Sequence, residues 1–148
     1  MPEHRLYRID HFLGKEPVQD IMYLRFQNAL FEPVWSREHV DSIQVTMAEN
    51  FGVEGRGAFY DRVGALRDVV QNHLLQVAAL LTMEAPVSVD PETMRDEQAK
   101  ALRAIRSLTG RSLVRGQYRG YREEPGVAPD SSVETYAALQ LHVDSRRA

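Results

Sequence analysis

The stretch ALRDVVQNHLLQVAALLTM, residues 65–83, carries the strongest periodic signal in the chain. Its apolar side chains recur every three or four positions, which places them on one broad face of a helix. That face is made of Leu66, Val69, Val70, Leu74, Val77, Ala78 and Leu81. The pattern predicts a buried helix.

Three further patterns precede that helix. Residues 17–31 repeat apolar side chains at helical spacing and predict a helix. Residues 43–49 alternate apolar and polar side chains, as a strand with one covered face does, and they end at Glu49. Residues 51–57 contain three glycines, which permit backbone angles that other residues disfavour, and they predict a loop.

The segment after the buried helix predicts one more helix and two strands. Asp90 is suited to cap a helix over residues 90–108. Residues 113–118 and 135–143 have the composition of strands. The order is therefore helix, strand, two helices and two strands. Because helices and strands do not alternate regularly, we expect an α+β fold, with helices packed on a partial antiparallel or mixed sheet in a single domain of residues 1–148.

Composition limits the classes of function. The chain has 148 residues, 43% hydrophobic and 26% charged, as one globular domain does. A formal net charge of -3 gives no footprint for nucleic acid or for an anionic membrane surface. The chain has no cysteine, which excludes a disulfide framework and a thiolate nucleophile. We expect a cytoplasmic protein without a nucleic-acid or membrane partner.

The segment RIDHFLGKE, residues 8–16, gathers a carboxylate, an imidazole and an ammonium within six positions, on Asp10, His11 and Lys15. Free backbone N–H groups at the start of the following helix, together with these side chains, are able to cradle a phosphate dianion. The alternative is an ordinary polar helix entry. A metal site that adds His4 and Glu16 has no familiar ligand spacing, so we predict no metal.

His73 lies on the predicted buried helix and borders its apolar face. A histidine in that position is commonly a satisfied core residue, but histidine also titrates near neutral pH and serves as a general base when a carboxylate orients it. Asp68 is nearest in sequence, yet five residues turn a helix by roughly 140°, so Asp68 is poorly placed as that partner. A partner carboxylate must come from elsewhere in the chain.

Two features beside the predicted strand complete the set of candidates. Glu49 closes the strand, where a side chain is able to reach a ligand, although a surface carboxylate is an equally good interpretation. The glycine loop at residues 51–57 has neither the spacing of a dinucleotide fingerprint nor that of a phosphate loop. We therefore predict no nucleotide site in this loop.

Several separated segments together resemble the signature stretches of glucose-6-phosphate dehydrogenases. They are RIDHFLGKE (8–16), RFQN (25–28), FGVEGRG (51–57), RDVVQNHLLQ (67–76), MRDEQAKAL (94–102) and GQYRGY (116–121). In that family the C1 hydroxyl of glucose 6-phosphate is oxidised to a lactone while a hydride passes to NADP. The resemblance implies that the chain is part of the large C-terminal domain of such an enzyme.

The resemblance also implies a role for each candidate residue. His73 matches the general base, and Asp10 matches the carboxylate that orients it. His11 and Lys15 match residues that grip the substrate phosphate. The carboxylates that bond to the sugar hydroxyls correspond to Glu49 and Asp68.

The resemblance carries further expectations for the chain as a whole. Phe12 stands where the family has tyrosine, so one contact to the phosphate is expected to be missing. NADP is expected to be bound mainly by a domain outside this chain. Without that domain, the chain is expected to be inactive. A homo-oligomer is expected. The alternative function is a non-catalytic sugar-phosphate-binding or oligomerisation module.

Overall fold

Helices followed by a small sheet make up the fold in the computed structural model, which describes residues 5–6, 9–88 and 90–147. The helices are α1 (Glu16–Phe26), α2 (Gly57–Ala65), a π-helix (Leu66–Leu74), α3 (Leu75–Thr82) and α4 (Pro91–Arg103); the strands are β1 (Leu113–Gly116) and β2 (Tyr136–Leu139). Within the described ranges, no helix has the length and apolar character to cross a bilayer. The predicted α+β class is confirmed. His4 and Arg8 lie outside the described residues.

The core lies where α1, α3 and α4 meet. Leu80, Met83 and Ala101 are buried there, and the partly buried side chains around them are Leu13, Val18, Ile21, Met22, Phe26 and Met94. The buried helix predicted over residues 65–83 is confirmed, although its first half is a π-helix. Its apolar face is covered because α1 and α4 pack on α3.

Arg25 of α1 is completely buried in this core. Its guanidinium donates to the carbonyl oxygens of Leu80 and Met83, the latter at 2.7 Å. The Trp35 indole N–H donates to the neighbouring Leu81 carbonyl at 2.9 Å. Burial lowers the pKa of Arg25 to about 10, so the group stays charged at neutral pH. The last carbonyls of α3 lack partners within their own helix, and these donors supply them.

Arg25→Ala is expected to lower the free energy of unfolding by about 3 kcal/mol, because the change leaves two buried carbonyls without donors and opens a cavity. Urea denaturation of the chain followed by circular dichroism measures the loss. Arg37→Ala is the matched control, since the Arg37 side chain is exposed, and it should stay within about 0.5 kcal/mol of the parent. Equal midpoints for the two variants would contradict this account.

The helix predicted over residues 17–31 ends earlier, at Phe26. Asn28 explains the difference, because its side-chain oxygen accepts from the Leu30 N–H at 3.1 Å. Asparagine side chains of this kind compete with the helical ladder and favour turns. The apolar spacing continues past the point at which the backbone leaves the helix.

The helix predicted over residues 90–108 also ends early, at Arg103, while its start is as expected. Asp90 caps the helix, since Oδ2 accepts from the Thr93 N–H at 3.3 Å. At the other end the Arg106 N–H donates to the His142 carbonyl at 2.9 Å. Pairing with this distant segment replaces the last helical turn.

The strand predicted over residues 43–49 is wrong. The structure shows a segment without regular secondary structure that is mostly exposed and, among the described residues, pairs with no neighbouring strand. A strand is stabilised by hydrogen bonds to an adjacent strand, and alternation of side chains supplies none. The alternating pattern of side chains was therefore not sufficient to predict a strand here.

The two later strands are confirmed as a short antiparallel pair, with Leu113 opposite Leu139 and Gly116 opposite Tyr136. Both are shorter than the segments predicted at 113–118 and 135–143. The ladder ends at Gly116 because the donors of the next two residues bond to residues that precede β2. The Gln117 side chain donates to the Val133 carbonyl, and the Tyr118 N–H to the Thr135 hydroxyl.

Candidate active site

His73 and Asp10 form a hydrogen-bonded pair although 63 residues separate them. Asp10 Oδ1 lies 2.7 Å from His73 Nδ1, and the His73 residue is 7% exposed. The same Oδ1 accepts the Phe12 N–H at 2.9 Å, which fixes the orientation of the carboxylate. When Asp10 is ionised, Nδ1 must be the donor, so Nε2 presents its lone pair. This is the arrangement of an oriented general base.

Two consecutive turns bring Asp10 to this position. The Leu13 N–H donates to the Asp10 carbonyl at 3.2 Å, and the Lys15 N–H donates to the Phe12 carbonyl at 3.1 Å. The second turn leads directly into α1, which packs on the core. The carboxylate is therefore attached to a well-packed helix through a short, hydrogen-bonded segment.

His73 is held by the π-helix Leu66–Leu74. This segment follows a break at Gly64, whose φ of 71° is outside the helical region. Val70 and Val77 are buried on either side of His73 and anchor that face. π-Helical turns are rare and occur frequently at functional sites.

Aromatic rings enclose the imidazole. The Phe12 ring stacks on His73 with centroids 4.2 Å apart and 18° between the planes. His11 meets His73 edge-on, with centroids 4.8 Å apart. The Lys15 ammonium lies 4.0 Å from the centroid of the Phe12 ring, as in a cation–π contact. The side chains of the quoted N-terminal segment thus converge on one face of the π-helix.

The backbone part of the predicted phosphate cradle is largely absent. Pro17 has no N–H, the Val18 N–H donates to the Lys15 carbonyl at 3.0 Å, and the Lys15 N–H is engaged in the preceding turn. Of the N–H groups of residues 15–18, the one on Glu16 could still donate to a phosphate. A phosphate bound here would depend on the side chains of His11 and Lys15, both of which are exposed.

Glu49 and Asp68 are not drawn into the cluster. Glu49 is exposed on the irregular segment before the glycine loop, whereas Asp68 is half-buried on the π-helix. In the part of the chain that the structure describes, no hydrogen bond or ion pair joins either carboxylate to Asp10 or His73. The assignment of catalytic and substrate-binding roles to individual residues stays a prediction.

Asp10, His11 and His73 also offer ligand atoms that lie within 4.8 Å of one another. A tetrahedral zinc ion holds its ligands about 3.3 Å apart. The 2.7 Å separation of Asp10 Oδ1 and His73 Nδ1 is instead that of a hydrogen bond. The geometry favours an oriented base over a metal centre, and the expectation of no metal stays a prediction.

The glycine loop before α2 packs tightly against another loop. A Cβ added at Gly57 would lie 2.4 Å from the Pro125 carbonyl oxygen, and one at Gly126 would lie 2.9 Å from Ala58 Cβ. These glycines therefore permit close contact between two backbone segments. The expectation of no nucleotide site in this loop stays a prediction.

Two contributors to the site were missed from the sequence. Phe12 was considered only as a substituted phosphate contact, whereas its ring stacks on His73. Glu134 was not considered at all, yet its carboxylate accepts the Leu66 N–H at 3.0 Å where the π-helix begins. Neither contact has a local sequence signal, because both depend on segments that meet only in the folded chain.

Known proteins provide an independent comparison. A family model described as "Glucose-6-phosphate dehydrogenase, C-terminal domain" matches residues 22–148. Glucose-6-phosphate 1-dehydrogenase 1 of Mycobacterium tuberculosis is 54% identical over 145 residues, which are 98% of this chain and 31% of that protein. The chain thus spans about a third of the length of this curated relative.

Two solved structures are similar over almost the whole chain. The crystal structure of glucose-6-phosphate 1-dehydrogenase from Mycobacterium avium has a TM-score of 0.91 and 53% identity, and the match covers 98% of this chain and 33% of that one. A glucose-6-phosphate dehydrogenase in complex with its substrate glucose-6-phosphate has a TM-score of 0.93 and 42% identity, and the match covers 99% and 32%. The chain belongs to the glucose-6-phosphate dehydrogenase C-terminal domain family.

Proposed function

We propose that this chain supplies the general base and part of the substrate site of a glucose-6-phosphate 1-dehydrogenase. The reaction would oxidise glucose 6-phosphate to its lactone, with NADP as hydride acceptor. The contact between Asp10 and His73 at 2.7 Å is the observation that supports the proposal most strongly. The family membership and the likeness to a substrate complex support the choice of sugar.

The chain's own part in this reaction is the movement of a proton. His73 Nε2 accepts the proton of the C1 hydroxyl, while the C1 hydrogen leaves with its electron pair as hydride and a C1 carbonyl forms. The imidazolium that results is stabilised by the Asp10 carboxylate in a partly desolvated setting. The acceptor would be held mainly by a domain outside residues 1–148.

Substrate binding in this proposal uses the exposed side of the cluster. Lys15 and His11 bind the phosphate, and Glu49 and Asp68 bond to sugar hydroxyls. The Lys15 ammonium lies above the Phe12 ring, 4.0 Å from its centroid, and that ring stacks on the base. A phosphate dianion would exchange this weak contact for a charge-assisted hydrogen bond, which is roughly twice as strong as a neutral one.

Lys15→Ala tests the substrate assignment. The test enzyme is a chimera in which residues 1–148 replace the matching segment of the Mycobacterium avium enzyme. The variant should raise KM for glucose 6-phosphate by about 10- to 100-fold and leave kcat/KM for free glucose within about threefold, because only the phosphorylated sugar loses an ion pair. Steady-state kinetics with both sugars measure the difference.

Lys100→Ala is the matched control for this test, since Lys100 is an exposed residue of α4 whose ammonium forms an ion pair with Glu97. It should leave both sugars unaffected. If Lys15→Ala changed the two sugars equally, Lys15 would not bind phosphate. A chimera that folds but does not oxidise glucose 6-phosphate would remove the proposed function as a whole.

The remaining expectations become proposals about the intact protein. We infer that residues 1–148 form the first part of the C-terminal domain, which is consistent with the family match over residues 22–148. A homo-oligomeric assembly, a cytoplasmic location and the absence of nucleic-acid and membrane partners stay predictions. Size-exclusion chromatography with light scattering measures the assembly state directly.

A further inference from the structure

The π-helix that carries His73 begins at a break in the backbone. Gly64 has φ 71° and ψ 168°, a conformation that essentially only glycine adopts. A Cβ at this position would also lie 2.6 Å from Glu134 Oε1 and 3.0 Å from Val133 Cγ1. Conformation and space therefore both require glycine, and the hydrogen-bond ladder of α2 cannot continue through this residue.

Glu134 accepts two of the N–H groups at the break, those of Ala65 and Leu66. Its backbone carbonyl accepts from Ala65 at 3.0 Å, and its carboxylate Oε1 accepts from Leu66 at 3.0 Å. Glu134 is 9% exposed, so these bonds are shielded from water. A carboxylate at this end of a helix is also favoured by the helix dipole. Glu134 thus caps the π-helix from a segment 68 residues away.

The register of the π-helix decides where His73 points. A shift of one residue along a helix turns a side chain by roughly 100° and moves it by about 1.5 Å. Either change would take the imidazole away from Asp10, to which it is bound at 2.7 Å. Since the first N–H groups of a helix are where its register is set, their acceptor controls the position of the base.

We propose that Glu134 is a positioning residue, which fixes the register of the π-helix and thereby holds His73 against Asp10. The expected effect of Glu134 on kcat rests on the proposed function. Its expected effect on the position of His73 rests on the contacts alone. Glu134 itself touches neither the imidazole nor the residues assigned to the substrate. Its effect on the reaction passes through the backbone of Leu66 and the helix that follows.

The kinetic experiment compares Glu134→Leu with Glu134→Gln in the chimera. Leucine removes the acceptor, whereas the glutamine amide oxygen still accepts from the Leu66 N–H. At a temperature where circular dichroism shows each variant to be folded, Glu134→Leu should lower kcat by about 100-fold with KM within about threefold, because a base displaced by about 1 Å loses that much. Glu134→Gln should stay within about threefold of the parent. Glu123→Leu, at an exposed glutamate, is the control.

The structural experiment uses the chain itself and does not depend on activity. The ring proton on His73 Nδ1, which the bond to Asp10 protects from exchange, should give a downfield proton NMR signal that persists in Glu134→Gln and disappears in Glu134→Leu. A general loss of stability would not remove this signal from the folded fraction. An unchanged signal together with the parental kcat in Glu134→Leu would overturn the proposal.

Two further outcomes keep the inference distinct from the proposed function. If Glu134→Leu does not fold, Glu134→Asp decides, because its carboxylate is one methylene too short to reach the Leu66 N–H. The parental kcat and Nδ1 signal in Glu134→Asp would then overturn the proposal. If the parent chimera is inactive, the proposed function fails, and the NMR comparison still supports or overturns the positioning role.

Discussion

His73→Asn is expected to lower the kcat of the chimera by roughly two to four orders of magnitude, with little change in KM for glucose 6-phosphate. The reason is that the lone pair of His73 Nε2 accepts the proton of the C1 hydroxyl in the proposed reaction, and a positioned general base contributes about this factor. Asparagine keeps a polar side chain in the buried site but has no nitrogen that takes up a proton near neutral pH. Steady-state kinetics at saturating substrate measure the change.

His142→Asn is the matched control, since His142 is exposed and far along the chain from the cluster. It should leave kcat unchanged. The kinetic pattern is as informative as the size of the effect, because an equal fall in kcat and kcat/KM marks a group that acts only in the transition state. Turnover within threefold of the parent in His73→Asn would show that another group removes the proton.

Asp10→Asn is expected to lower kcat by about 10²- to 10⁴-fold, comparable with removal of the base. Asp10 Oδ1 accepts both the His73 Nδ1–H and the Phe12 N–H, whereas Oδ2 is buried and has no hydrogen-bond partner among the residues that the structure describes. An asparagine oxygen in the Oδ1 position would leave the amide NH₂ buried and unpaired. The opposite rotamer would point that NH₂ at Nδ1 and select the tautomer in which Nε2 carries the proton. In both cases the charge that stabilises the imidazolium is lost.

Nitrogen-15 NMR of the His73 ring in the chain itself reports the tautomer separately from kinetics. The parent should show an unprotonated Nε2, and Asp10→Asn should change this pattern. Asp20→Asn, at an exposed carboxylate of α1, is the control for loss of one negative charge. The double variant of Asp10 and His73 should be no slower than His73→Asn by itself, because the two residues act as a unit. Independent, additive losses would contradict the pairing.

The sequence predicted the helical core well because helix signals are local. The apolar spacing over residues 65–83, the cap at Asp90 and the α+β class all agree with the structure. Even the buried Arg25 had a signal, since it lies four residues after Ile21 on the face that packs against the core. An arginine on an apolar face indicates that backbone acceptors are nearby, which is what the end of α3 provides.

The errors concern features that hydrogen bonding decides, whether the bonding partner is far away in sequence or two or three residues along the chain. Residues 43–49 alternate like a strand, but alternation does not supply the hydrogen bonds of a second strand. The helix over residues 17–31 stops at Phe26 because the Asn28 side chain competes for the backbone. The free backbone donors expected before α1 are mostly used within the turn itself. In each case a hydrogen bond outweighed a side-chain pattern.

For the candidate site, the sequence by itself determined which chemical groups were available, and α-helical geometry indicated that Asp68 is poorly placed as the partner of His73. That geometry does not describe the folded chain, because both residues lie on a π-helix. The resemblance named Asp10 as that partner. Only the tertiary structure decided that the carboxylate and the imidazole lie 2.7 Å apart, that the Phe12 ring stacks on the imidazole and that Glu134 caps the π-helix. These contacts join segments more than 60 residues apart, and no local pattern encodes them, since they arise when the helices pack.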